Sequence, residues 1–456
     1  MLREPPSVSS TASSSAHRLA VRRSILALAL PVVGSGFLER AVGLIDVFLV
    51  GGLGASAIAA VGASQLLLSI AVSLVSGLPL GTLVVTAQLW GAGKRGDASA
   101  GAGHVLLVGF IVGLIVGAAG MIWGGRGVAL LGAAPDVVAS ADAYLRLVFA
   151  AFPLTLMVTM LTAMLQGTGD TKSPLFATVL MNVVHLIIAY PTIYGVWGAP
   201  ALGVTGAAAA FAGADLTGVV VLAWMAHRRG LLRWAWAPEF LRAVLRVGSP
   251  ASVDHTLQQS AQLVFARVVL LYGTTVYAAH QVGVTIESLS YLYGGGFALA
   301  AATAFGQSLG ANNLPRARLE NWEANRLAII VMAAMGLVFF FFPYLLMRIF
   351  TSDQAVIDYG TLFLQIVAVL QIPLAITMVL SGSLKGAGDT RFLLLASIIG
   401  AWVVRVPLAL LFGYGLHLPI AAVWMVMAMD WSVRMLLVVY RYRSERWQGR
   451  RMAWEN

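Results

Sequence analysis

The chain has 456 residues, of which 59% are hydrophobic and 11% charged, and a mean hydropathy of +0.86. So little polar surface excludes a soluble protein of this length and predicts an all-α integral membrane protein. With no cysteine there is neither a disulfide framework nor a thiolate metal site.

Residues 1–20 include a serine-rich run and read as a disordered cytoplasmic tail. A spanning helix takes about 20 apolar residues. Breaks in hydropathy predict six spans at 24–52, 57–92, 99–123, 137–167, 172–196 and 202–227. After a basic linker at 228–239, six more are predicted at 240–272, 276–311, 315–349, 355–385, 391–415 and 418–443, with a second tail at 444–456. The first stretch is too long for a signal-peptide core and is expected to be retained as a helix. Pro31, Pro79, Pro153, Pro191, Pro250, Pro373 and Pro407 fall inside these spans, where each removes an intrahelical hydrogen bond and tends to bend the axis.

If the N-terminus is cytoplasmic, 22 of the 29 Lys and Arg lie on one side of the membrane and Arg126, Arg146 and Arg348 on the other. This positive-inside pattern predicts a multi-pass protein of the inner (plasma) membrane with both termini cytoplasmic. It also explains the net charge of +10 without nucleic acid.

The chain repeats itself at an offset of 219 residues: Pro31 recurs as Pro250, Gly77 as Gly296, Gln88 as Gln307, and 165–172 as 384–391. Each repeat holds six spans, an even number, so both enter the membrane in the same direction. Two lobes follow, an N-lobe over 21–227 and a C-lobe over 240–443.

A charge near the bilayer centre costs at least about 2.5 to 3.5 kcal/mol, which makes each one inside a span a candidate for function. Glu39 and Asp46, seven residues apart, share a face of the first helix. The repeat carries Asp46 onto Phe265 and Glu39 onto Gln258, so ion coupling is expected in the first half. Asn182, His185 and Asp215 add polar groups there. With Asp46 they form either a proton relay or an oxygen-rich cation site, with sodium at Asp46 and Asn182, unless Asn182 only bonds helix to helix. In the second half Asp430 and Arg434 are an i, i+4 pair suited to an internal salt bridge, near Arg405. Asp254, Gln258, Glu287 and Arg405 face either a substrate cavity or internal polar packing. No Walker A loop, H-E-x-x-H or nucleophile elbow occurs. An ATP-driven pump or an enzyme is therefore not expected, and any energy comes from an ion gradient.

Several stretches resemble the MATE (multidrug and toxic compound extrusion) transporters. They are 45–54 closing the first helix, 202–208 opening the sixth, 306–311 after the eighth, and Gln166-Gly167-Thr168-Gly169-Asp170-Thr171 with its counterpart at 385–390. The resemblance implies a twelve-helix, two-lobed antiporter that exports organic cations or amphipathic drugs in exchange for protons or sodium by alternating access, without a cofactor. It implies that Asp46 is the family's acid on the first helix, that Pro31 is the proline where that helix bends, and that Asn182 belongs to the N-lobe cation site. Departures from the family pattern are Leu186, Gln258 and Leu374, each where some members carry an acid. A monomer in the bilayer is the expected unit. The competing expectation is a flippase of the same superfamily, moving lipid-linked saccharide precursors, for which Arg405 would supply cationic character.

Overall fold

The computed structural model describes residues 11–448 except 234. Among them there is no strand; the chain is a succession of long helices. The first repeat gives α1 (Thr11–Gly51), α2 (Ala55–Val75), α3 (Gly77–Gly91), α4 (Arg95–Leu130), α5 (Pro135–Gly167), α6 (Lys172–Tyr194) and α7 (Val204–Arg228). The second gives α8 (Pro238–Leu270), α9 (Thr274–Gly310), α10 (Leu314–Phe341), the short α11 (Pro343–Arg348) and α12 (Gln354–Gly386). It ends with α13 (Thr390–Ser397), α14 (Val406–Leu410) and α15 (Ile420–Arg443).

Ten helical stretches are long and apolar enough to cross a membrane, counting α2 with α3 and the 390–415 stretch as single spans. The remaining two long helices, α8 with 33 residues and α9 with 37, match them in length but carry internal polar groups such as Asp254, Gln258 and Glu287. Together they make the twelve-span layout. Helix α1 starts at Thr11, inside the stretch expected as a tail, because a helix nucleated by the apolar run extends cheaply through Ala12, Ala16 and Leu19. Residues 1–10 and 449–456 of the expected tails lie outside the described residues.

The repeat is visible in the helix bounds. Adding 219 carries Ala55 to Thr274, Gly91 to Gly310, Arg95 to Leu314, Pro135 to Gln354 and Gly167 to Gly386, each an observed helix terminus. It is visible in packing as well. A Cβ at Gly386 would meet the Ala302 carbonyl, and one at Gly167 would meet that of Leu83, the equivalent residue. Small residues let backbones approach closely where lipid supplies no hydrophobic drive between helices. Two residues on, Gly169 and Gly388 turn the chain with φ of 89° and 80°, a region that side chains other than glycine rarely occupy. The next residues, Asp170 and Asp389, each hold an arginine, Arg229 and Arg441 respectively.

The eleventh span is less regular. The stretch 390–415 passes from α13 through a π-helical segment, Ile398–Arg405, into α14 and a second such segment, Leu411–Gly415. Pro407, which cannot donate to the ladder, sits between them. Such wider turns recur at functional sites.

Two compact units result, and each contains part of both repeats. One comprises Gly34–Gly248; the other comprises Met1–Val33 and Ser249–Asn456. In the second unit the first half of α1 places Val21, Ile25, Leu28 and Ala29 in a core with Phe265, Phe297 and Trp424. Its Arg22 donates to the fully buried Glu323 at 2.6 Å. In the first unit the start of α8 packs likewise, with Phe240 against Gly101 and Gly248 against the Gly77 carbonyl. His104, the repeat equivalent of Glu323, accepts there from the Ala237 backbone N–H at 3.2 Å and stacks on Trp236. The crossovers are thus symmetric: Ala29 lies on Gly296 just as Gly248 lies on Gly77. Pro31 and Pro250 stand beside the two boundaries.

Replacing Gly386 by valine drives a branched side chain into the α9 backbone. Overpacking of this kind costs about 1 to 3 kcal/mol, so the thermal midpoint in detergent should fall clearly. Gly43→Ala, where a Cβ meets open space, should hold or slightly raise it.

Candidate functional site

In the Gly34–Gly248 unit, α1 and α6 come together near their far ends. The Tyr194 hydroxyl donates to the Leu49 carbonyl at 2.7 Å and lies where a side chain on Gly52 would be. Three residues before Leu49, Asp46 Oδ1 lies 2.7 Å from His185 Nε2 on α6. The imidazole is buried, whereas the Asp46 side chain is 27% exposed. One member of the pair is therefore locked among helices and the other reaches an open face.

Further groups surround the pair. Asp215 on α7 is buried and accepts a hydrogen bond from Thr155 on α5. His185 lies within electrostatic reach of it. Tyr144 on α5 is buried within electrostatic reach of Asp46. Asn182, one turn before His185, has an Nδ2 that is buried without a hydrogen-bond partner. Glu39, by contrast, lies on an exposed part of α1.

The structure thus brings together Asp46 and His185, with Asp215 and Asn182 nearby. Thr155 and Tyr144 were not anticipated. Each is an unremarkable residue of a long apolar helix until α7 and α1 are packed against it. Among the described residues no three His, Asp or Glu side chains converge as a metal-binding cluster. An ion held at Asp46 and Asn182 would have to complete its shell with neutral oxygens.

The other unit is organised differently. Asp430 on α15 is fully buried and receives two guanidinium groups, Arg405 at 2.6 Å and Arg434 at 2.5 Å. Arg434 also donates to Gln258 at 3.1 Å, and Gln258 donates to Asp254 at 2.9 Å. Arg405 donates to Gln262 at 3.1 Å. The approach of α15 depends on Gly400, since a Cβ there would collide with the carboxylate of Asp430 and the side chain of Arg434. The π-helical turn carries both Gly400 and Arg405, so its widened backbone is what seats this network. Glu287 on α9 is buried within electrostatic reach of Arg405, and its Oε1 accepts no hydrogen bond. Asp254, Gln258 and Arg405 are consequently joined through hydrogen bonds to arginines and Asp430, while Glu287 faces Arg405 without a hydrogen bond at Oε1.

Comparison with known proteins agrees with this architecture. The MatE family model matches twice, at residues 31–191 and 250–411, the two starts lying 219 residues apart as the repeat requires. A probable multidrug resistance protein NorM of Thermotoga maritima is 27% identical over 441 residues, covering 94% of each chain. Among solved structures, the bent form of the Vibrio cholerae MATE transporter VcmN has a TM-score of 0.87 at 21% identity, covering 94% of this chain and 99% of its own. A MOP superfamily transporter of Pyrococcus furiosus, described by the reversed polarity of its binding pocket and a suggested different function, has a TM-score of 0.85 at 22% identity and covers 93% of this chain and 96% of its own. At these identities the structural likenesses speak to fold alone. The family model accounts for most of the chain in two repeat-related copies, and the chain belongs to the MatE family of membrane transporters.

Proposed function

We propose that the chain is a secondary antiporter that exports organic cations or amphipathic drugs across the plasma membrane, with both termini cytoplasmic. Protons or sodium ions move inward in exchange, and the pathway alternates between inward and outward access. A single chain supplies both repeats, so a monomer suffices. The observation that carries the reading is Asp46, a partly exposed carboxylate within a spanning helix, held by a buried imidazole in a member of a transporter family. A carboxylate in that position can bind a cation from an aqueous face and release it to another, and hydrocarbon would otherwise disfavour its charge. The names of relatives such as NorM support drugs as cargo.

Coupling is assigned to the Gly34–Gly248 unit. In the other unit Gln258, which the repeat aligns with Glu39, receives a hydrogen bond from the guanidinium of Arg434. A positive charge at that place opposes a second cation. The flippase reading loses support for a related reason. Arg405 is buried and committed to Asp430 and Gln262, so it does not provide a free cationic surface for a phosphorylated lipid.

Two measurements test this division of labour. Asp46→Asn keeps the size of the side chain and removes its charge, so it should reduce gradient-driven export of a cationic dye from proteoliposomes to background while leaving the thermal midpoint near that of the parent. Retained export would overturn the assignment. Asp430→Asn should act on stability: two buried guanidinium groups lose their shared counter-charge, and breaking a buried pair costs about 3 to 5 kcal/mol. A large drop in thermal midpoint is expected.

A further inference from the structure

One side of the Gly34–Gly248 unit is rimmed by positive charge. With α2 and α3 counted as one span, successive spans alternate in direction, so the end of α3, the starts of α4 and α6 and the end of α7 face the same side. Arg95, Lys172, Arg228 and Arg229 stand there, and Arg233 follows in the linker, all of them exposed. The linker is fastened to the helices: the Arg233 backbone N–H donates to the Ser99 carbonyl at 3.2 Å, and Leu231 and Leu232 share an apolar cluster with Trp90 and Ala226. A single rim is thus assembled from α3, α4, α7 and the linker.

Two of its arginines share an arrangement. The guanidinium of Arg95 lies over the Trp90 ring, 4.7 Å from its centre, and that of Arg228 lies over the Trp224 ring at 4.2 Å. An aromatic face attracts a cation without neutralising it, and it leaves the N–H edge of the planar group to meet an oxyanion. Among the described residues neither arginine forms an ion pair with a carboxylate, whereas Arg229 is committed to Asp170. Below Arg228 the same face of α7 continues at four-residue spacing through Trp224, Val220 and Leu216, each more than half exposed. An apolar ladder that leads to an aromatic ring and then to a cation follows the order of parts in a phospholipid: acyl chain, interface, headgroup.

We propose that this rim is a binding surface for anionic phospholipid, with Arg95 and Arg228 holding headgroup phosphates and the α7 ladder lying along an acyl chain. That the leaflet is the cytoplasmic one rests on the topology proposed above. The negative surface of that leaflet attracts basic residues beside a span, by about 5-fold in affinity for each one. The acids of the rim do not cancel this charge. Asp170 is taken by Arg229, and Asp97 and Glu239 lie in the first turns of α4 and α8, where the helix dipole favours a carboxylate.

The test incubates purified full-length protein in detergent with equal amounts of phosphatidylglycerol and phosphatidylcholine of identical acyl chains, and counts the lipids retained by native mass spectrometry. The parent should retain phosphatidylglycerol in preference, and raised salt should weaken that preference. Arg95→Gln and Arg228→Gln should each lower it about 5-fold, whereas Arg126→Gln, near the opposite end of α4, should leave it unchanged. Equal retention of the two lipids by the parent would overturn the proposal. So would an Arg95→Gln, Arg228→Gln double variant that keeps the parental preference, or an Arg126→Gln variant that loses as much as either. The parent arm decides even if the variants misfold. The leaflet is read separately from Gly96→Cys, a position where a Cβ meets open space in a chain without native cysteine. It should resist a membrane-impermeant maleimide added outside intact cells. Rapid labelling would overturn the cytoplasmic topology and with it the leaflet, whereas a protected Gly96→Cys beside a parent without lipid preference would overturn the lipid surface alone.

Discussion

Hydrocarbon cannot hydrate a charge, and the polar arrangements of this chain answer to that constraint. Asp430 is completely enclosed and carries two arginines, so its charge is neutralised with one positive charge to spare, which Gln258 and Gln262 help to solvate. Asp46 is treated otherwise. It keeps part of its surface open and takes a partner whose charge is optional, an imidazole. Asp430 is clamped by two guanidinium groups, whereas Asp46 meets a single imidazole. The two aspartates thus differ in the kind of partner that holds them.

The two repeats share what lipid packing demands and diverge in what chemistry demands. Gly167 and Gly386 press on the carbonyls of equivalent residues, and the aspartates that follow each hold an arginine. At Asp46 the equivalence stops, for Phe265 is an apolar residue buried at the core of its own unit. Even Glu323 and His104, which occupy equivalent positions and both secure a crossing segment, do so with different chemistry. One holds Arg22 through an ion pair, the other a backbone N–H and a tryptophan ring.

Most of the helix layout was legible in the sequence because apolar length is a strong signal and the repeat doubles it. Asp46 stood out as an acid inside such a run, and the i, i+4 spacing of Asp430 and Arg434 was readable within a single helix. The contacts that give these residues meaning were not. His185 lies 139 residues from Asp46, and Arg405 meets Asp430 on another helix from the end of a π-helical segment. Spacing along one helix says nothing about which helix lies opposite. The units were hidden for another reason: the repeat marks equivalent sequence, while packing places the opening segments of α1 and α8 in the unit built mainly from the other repeat.

That exchange gives α1 two separate anchors. Before Pro31 it is held through Arg22 by the buried Glu323, and after Val33 it belongs to the other unit, where Asp46 meets His185 and Leu49 receives the Tyr194 hydroxyl. Any rearrangement between the units must be absorbed where the chain passes from one to the other, and on α1 that place is flanked by a proline that has already removed one rung of the helical ladder. The remote anchor is the ion pair of Arg22 with Glu323. The near anchor pairs Asp46 with the buried imidazole of His185. The same helix thus carries Arg22 in one unit and Asp46 in the other, with Pro31 beside the place where the chain passes between them.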